Sequence, residues 1–316
     1  MRIFFFAIPV VLGISIFLLG LKLMSAALET LLGFRLRSAL IRFTEARTKG
    51  FLLGLLVTAF IQSSSAVGAA LVVLADTGVL SLTQALGVML GANVGTTVTA
   101  QIVALPLESL ALPLCAVGLA VRYGAKRRRM GTALFGLGAV FYGLSCTTAA
   151  LAPLLQTPGV HRILTSLTAT PLEAVFFGML LTALAQSSSA VTGLVIGLVK
   201  QGLLPVPVAV GVALGSNVGT VATTLLASLG RGRASRATAY ADLLFNLGGV
   251  VLVLPAFPWF VRFLACLSGD PGRQVAHAHT VFNTATALLA LPFLPQLAGL
   301  AWWGAGIVGR NKNNLG

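Results

Sequence analysis

Two words in this chain combine residue types that an apolar sequence does not need: Gln62-Ser63-Ser64-Ser65 and Gln186-Ser187-Ser188-Ser189. A continuous helix sets successive side chains about 100° apart, so three adjacent hydroxyls cannot face one neighbour. If the helix breaks within the word, its first-turn N–H groups and hydroxyls all point at one ligand, and the helix dipole there favours an anion. Interhelical packing would also use Ser and small residues, but it does not require the same word twice. A second pair is Gly91-Ala92-Asn93-Val94-Gly95-Thr96 and Gly215-Ser216-Asn217-Val218-Gly219-Thr220. Its glycines permit an unwound backbone. The freed carbonyls, with the amide oxygens of Asn93 and Asn217 and the hydroxyls of Thr96 and Thr220, would suit a hard cation such as sodium. Thr58 and Thr182 each lie four residues before the Gln and share its helical face. They rank second as ligands, because such a hydroxyl can equally bond back to its own helix.

The spacing makes these words halves of one device. Laying 54–105 over 178–229 at a constant offset of 124 gives 24 identities in 52 positions, concentrated in the two words. The surrounding chain is 57% apolar and only 9% charged, with mean hydropathy +0.97. A soluble domain carries about a quarter charged residues, so an ordinary soluble fold is excluded. The expected class is an all-α polytopic membrane protein, a single transport domain over 1–316. Candidate embedded segments are 3–27, 51–75, 82–105, 109–123, 131–152, 173–199, 206–229, 238–264 and 280–308. Residues 3–21 exceed a signal h-region and read as a retained helix. Residues 28–49 mix leucines at helical spacing with basic residues and predict an interfacial amphipathic helix.

The net charge of +14 sits in short connections: Arg35 to Lys49, Arg122 to Arg129, and Arg231 to Arg236. That is the positive-inside pattern and excludes a nucleic-acid module. It places entry to repeat 1 (54–105) and repeat 2 (178–229) on opposite sides, an inverted repeat. To leave on the far side, each repeat needs an odd number of crossings, so its Gln-Ser-Ser-Ser segment is expected to be a re-entrant hairpin. Glu29, Asp76, Glu108 and Glu173 fall near segment ends and read as interfacial. Lys22 and Lys200 read as snorkelling. Cys115, Cys146 and Cys266 read as small buried hydrophobes.

On these words the chain resembles the type II sodium/phosphate cotransporter family, from about residue 10 to 295. Supporting words are Phe17 to Met24, Ala133 to Gly138, Leu244-Phe245-Asn246-Leu247 and Ala278-His279-Thr280-Val281-Phe282-Asn283. The resemblance implies sodium-driven import of inorganic phosphate, with sodium as coupling ion and no other cofactor. It implies phosphate on Gln62, Ser63, Ser64, Ser65, Gln186, Ser187, Ser188 and Ser189. Sodium would lie on Gln62, Ser65, Asn93, Thr96, Gln186, Ser189, Asn217 and Thr220. The implied partners are phosphate, sodium and lipid, with a homo-oligomer left open, in a bacterial-type inner membrane. Two departures stand out. Many bacterial relatives resemble this core followed by a soluble regulator-like domain, whereas this sequence stops at Gly316. Where a His is expected before the first Phe-Asn word stands Asp242, read as a solvated helix end. Three alternatives accompany this reading: a carrier or exporter of phosphate or another oxyanion, an intramembrane serine hydrolase using His277 or His279, and a non-transporting scaffold.

Overall fold

The computed structural model describes residues 2–32, 47–166 and 170–310, and these form helices without a strand. In chain order they are α1 (Arg2–Leu32), α2 (Arg47–Ile61), α3 (Ser64–Asp76), α4 (Leu82–Ala104), α5 (Ala111–Tyr123), α6 (Arg128–Leu155) and α7 (Pro158–Ser166). There follow α8 (Pro171–Ala185), α9 (Ser188–Lys200), α10 (Val206–Ser228), α11 (Arg233–Val253), α12 (Phe257–Leu267), α13 (Pro271–Ala290) and α14 (Leu294–Arg310). Among the described residues, six stretches are long and apolar enough to cross a bilayer: Ala7–Thr30, Leu82–Ala104, Arg128–Leu155, Val206–Ser228, Arg233–Leu267 and Pro271–Ile307. The expected interfacial helix at 28–49 falls mostly outside the described residues; its ends belong to α1 and α2.

Each of the segments 51–75 and 173–199 is broken at its Gln-Ser step, giving α2 and α3 in one half and α8 and α9 in the other. The neighbours of the glycines fix the direction of the pieces. Arg47 lies against Gly87, Phe51 against Gly91 and Leu55 against Gly95; numbers rise together, so α2 and α4 run parallel. The same register recurs as Pro171 with Gly211, Val175 with Gly215 and Met179 with Gly219, making α8 and α10 parallel. The short arms α3 and α9 must therefore run back between their parallel partners, and each Gln-Ser step is a reversal.

The far ends of the short arms tie the halves together. The Asp76 carboxylate, at the end of α3, accepts from the Gly232 N–H just past α10 at 2.9 Å. Lys200, at the end of α9, donates to the Leu105 carbonyl just past α4 at 3.1 Å and pairs with Glu108. The start of α4 thus lies beside the end of α10, and its end beside the start of α10: the two long helices run in opposite directions. Lys200 is held by these partners and is not a free snorkelling cation, as its sequence position had suggested.

Around this centre, α1 and α6 pack antiparallel through small residues, Gly13 on Thr147 and Gly20 on Val140, with α5 on the outer side of α6 through Gly118 and Phe135. Phe17 of α1 reaches Gly193 of α9. On the opposite flank, α11 and α13 cover α3 and α9 respectively. The cysteine expectation holds only in part, since Cys266 is exposed and Cys115 and Cys146 are half-buried.

The glycines of the second pair of words explain why α2 and α4 approach so closely. A Cβ on Gly91 would stand 1.9 Å from the Phe51 carbonyl oxygen, and one on Gly215 1.9 Å from that of Val175. Without a hydrophobic drive between helices in lipid, such backbone approach supplies the packing energy. Gly91→Ala and Gly215→Ala are each expected to cost about 3 kcal/mol or more through overpacking. Gly299→Ala, in open space, should stay within about 0.5 kcal/mol. Thermal unfolding in detergent, followed by fluorescence-detected size exclusion, separates the two groups; equal midpoints would refute the packing argument.

Candidate functional site

The site begins with two strained residues. Gln62 and Gln186 have φ of 62° and 53°, the left-handed region, which costs a non-Gly residue about 1–3 kcal/mol and clusters at functional sites. In this conformation their N–H groups still donate to the Thr58 and Thr182 carbonyls at 2.7 and 2.6 Å, ending α2 and α8. The next residues, Ser63 and Ser187, turn extended and cap the following helices, accepting from Ala66 N at 3.3 Å and Ala190 N at 3.2 Å. Serine is among the preferred N-caps, so one dipeptide stops a helix and starts another in the opposite sense. The two breaks meet: Ser65 Oγ donates to the Gln186 carbonyl at 3.2 Å.

Between them lies a cavity of about 500 Å3 lined by Gln62 to Ala66, Ala185 to Ser189, and one face of α1. All eight residues expected to bind the anion therefore come together. Two helix N-termini, each with first-turn N–H groups lacking an intrahelical partner, look into the same space. The halves are not equivalent. Gln62 is 7% exposed; its amide donates to the Ala59 carbonyl and accepts from the Thr99 hydroxyl, so it fastens the break to α4. Gln186 is exposed. Lys22 and Glu29 of α1 also line the cavity. They bring the charged side chains that sequence reasoning had assigned to the interface; the register of α1 against the breaks, which would have revealed them, depends on tertiary packing.

The second pair of words corrects an expectation. Residues 91–96 and 215–220 do not unwind; they lie inside the continuous helices α4 and α10. Their carbonyls serve the helix, and their glycines serve close packing. Only side chains can act there. Thr96 bonds back to the Ala92 carbonyl at 3.0 Å and lines neither cavity described here. Asn93 and Thr220, one from each repeat, meet Ser64 and Ser65 in a small cavity of about 10 Å3 beneath the first break. In the other half, Asn217 Oδ1 accepts from Asn283 Nδ2 at 3.1 Å and lies 3.1 Å from His279 Nε2. Ser189 is buried on α9 and lines the larger cavity. The Thr58 and Thr182 hydroxyls are buried without a hydrogen-bond partner, so back-bonding does not occupy them.

Asp242 departs most from its sequence reading. It is not a solvated helix end but 5% exposed, midway along α11, on the wall of the small cavity. The misreading came from placing the segment start at 238; α11 begins at Arg233, and its Arg-rich first turn lies outside the apolar run. His277 and His279 meet Gln101 and Asn217 and not a serine of either word, which leaves the hydrolase reading without its base.

Comparison with known proteins assigns the chain to a family. The Na+/Pi-cotransporter family model matches residues 16–149 and 147–268. YqeW of Bacillus subtilis, a protein without an assigned function, is 34% identical over 268 residues, 84% of this chain and 87% of that protein. YjbB of Escherichia coli, provisionally named an inorganic phosphate export protein, is 30% identical over 260 residues; the match covers 81% of this chain and 47% of YjbB, so the chain spans about half that relative. The rabbit sodium-dependent phosphate transport protein 2A is 37% identical over 93 residues, 28% of this chain and 14% of that protein. No solved structure matches the chain significantly. With a matching model across most of its length and a relative aligned almost end to end, the chain belongs to the Na+/Pi-cotransporter family, whose members are membrane transporters of phosphate.

Proposed function

We propose that this chain is a secondary symporter that moves inorganic phosphate into the cell on an inward sodium gradient, with sodium as its only coupling ion and no other cofactor. The observation that carries the reading is the meeting of the two broken helices at one cavity, linked by the Ser65–Gln186 hydrogen bond. Neutral N–H and hydroxyl donors hold a tetrahedral oxyanion without fixing its charge state, as helix N-termini do for phosphate. The words Gln62 to Ser65 and Gln186 to Ser189 take the phosphate. Sodium shares Ser65 and Asn93 in one half and Ser189 and Asn217 in the other, close enough to offset the anion's charge.

Opposite directions of α4 and α10, each bearing a re-entrant arm, support an inverted repeat and hence alternating access by rocking one half against the other. Arg47 at the start of α2 lies by Gly87, and Asp76 just before α4 bonds to Gly232, so Arg47 and the arginines at 231–236 share one end of the bundle. The positive-inside rule assigns that end to the cytoplasm of a bacterial inner membrane. Export is the second reading, favoured by the name given to YjbB.

The test is radiolabelled phosphate flux into liposomes holding the purified full chain. An inward sodium gradient should accumulate phosphate, whereas a matched potassium gradient should only equilibrate it; equal uptake in both sinks sodium coupling. Export is scored in the same vesicles by loading phosphate inside and comparing outward with inward sodium gradients. Ser64→Ala combined with Ser188→Ala should reduce sodium-driven uptake at least tenfold, as two hydrogen bonds to a charged ligand are worth about 1.5–3 kcal/mol each. Unchanged uptake in the double variant would remove the breaks from the substrate site.

A further inference from the structure

The cavity under the first break is bordered by a carboxylate that forms no ion pair among the described residues. Asp242 Oδ2 accepts from Thr224 Oγ1 at 2.9 Å, and Oδ1 accepts from Asn246 Nδ2 at 2.9 Å. Both donors are neutral and buried, and the one ion pair among the described residues, Lys200 with Glu108, lies elsewhere. A carboxylate taken out of water and met only by neutral hydrogen-bond donors is poorly compensated, and buried charges are ordinarily paired or bound to metal. On the same wall, the Asn93 side chain is a further neutral donor toward this carboxylate. The space they border, about 10 Å3, has room for one water-sized occupant and none for a phosphate. Asp242, Thr220, Thr224, Asn93 and Ser65 line it, and each carries a side-chain oxygen of the kind a hard monovalent cation takes.

The corresponding place in the other half is built differently. His279 precedes Asn283 by four residues, as Asp242 precedes Asn246, but its imidazole faces Asn217, which Asn283 also contacts. There an amide–imidazole network occupies the position and no carboxylate is present among these groups.

We propose that Asp242, with Thr224, Thr220, Asn93 and Ser65, forms a sodium site beneath the first Gln-Ser break, with the Asp242 carboxylate as its charged ligand. The inference rests on the sodium reading above and deepens it by naming the charged ligand. Ser64 and Ser65 line both this cavity and the larger one, so an ion here places its charge within one side chain of the anion. Occupation of the cation site raises the affinity of the anion cavity, and the reverse follows by linkage.

The experiment is equilibrium binding of radioactive sodium to the purified full chain in detergent, without phosphate. Wild-type protein should bind saturably, and Asp242→Asn, an isosteric change whose amide oxygen still accepts from Thr224, should weaken binding at least tenfold. Glu173→Gln, at an exposed carboxylate bonded to Thr170, should bind as wild type. Asp242→His, installing the residue of the other half, should lose sodium as Asp242→Asn does and serves if the Asn variant does not fold. In wild-type protein, sodium but not choline should slow carbodiimide labelling of Asp242, read by peptide mass spectrometry. Saturable wild-type binding that is unchanged in folded Asp242 variants, or labelling indifferent to sodium in a chain that binds sodium, would overturn the site and leave the symport reading standing. Absence of sodium binding by folded wild-type protein would instead remove the sodium coupling itself.

Discussion

A chain that reverses inside an apolar medium leaves backbone N–H and C=O groups without water to satisfy them, at several kcal/mol each if they stay unpaired. The fold answers this at two dipeptides. Gln62 and Gln186 close the incoming helix in the left-handed region, and Ser63 and Ser187 cap the outgoing one. What remains unsatisfied is the first turn of α3 and of α9, and these two turns face each other across a common cavity. The cavity is thus lined by the unsatisfied remainder of a folding problem, which a ligand rich in acceptors would complete. Left-handed strain at the Gln residues and the hydrogen bond from Ser65 to the Gln186 carbonyl belong to the same solution.

Everything else holds those turns in register. Parallel pairs α2–α4 and α8–α10 approach at glycines so closely that no Cβ fits, which makes each pair a rigid plank. The short arms have no such contact with their own first helix. Gly68 of α3 and Gly193 of α9 meet Thr224 and Phe17, side chains from other parts of the chain. Contacts to the arms therefore come from side chains of α1, α10 and their flanks, and are easier to remake than backbone-to-backbone packing.

Much of this was legible in residue order. The doubled Gln-Ser-Ser-Ser word at a fixed offset identified the breaks, and a need for an odd number of crossings identified them as reversals. The Gly-x-Asn words were expected to unwind, and they lie instead inside continuous helices. A glycine pair signals either unwound backbone or close helix approach, and local sequence does not distinguish them, because the deciding atoms are the Phe51 and Val175 carbonyls on another helix. Asp242 was misplaced because hydropathy set the start of its segment, while the Arg-rich first turn of α11 extends the helix beyond the apolar run. Lys22 depended on the rotation of α1, which its uniformly apolar residues do not specify. Lys200 and Asp76, which the 124-residue offset superimposes, were read as snorkelling and interfacial, yet each found a partner in the opposite half.

Those two arm tips have a bearing on how the halves came to differ. A duplicated segment starts with the same residue at both tips, and each tip must dock on the end of the other copy's long helix. One tip now meets a backbone N–H and is acidic; the other meets carbonyls and is basic. Once the acid and the base were fixed, neither copy could replace the other, since a carboxylate against carbonyls or an ammonium against an N–H is repulsive. The two arms are therefore not interchangeable at their tips, despite the words they share.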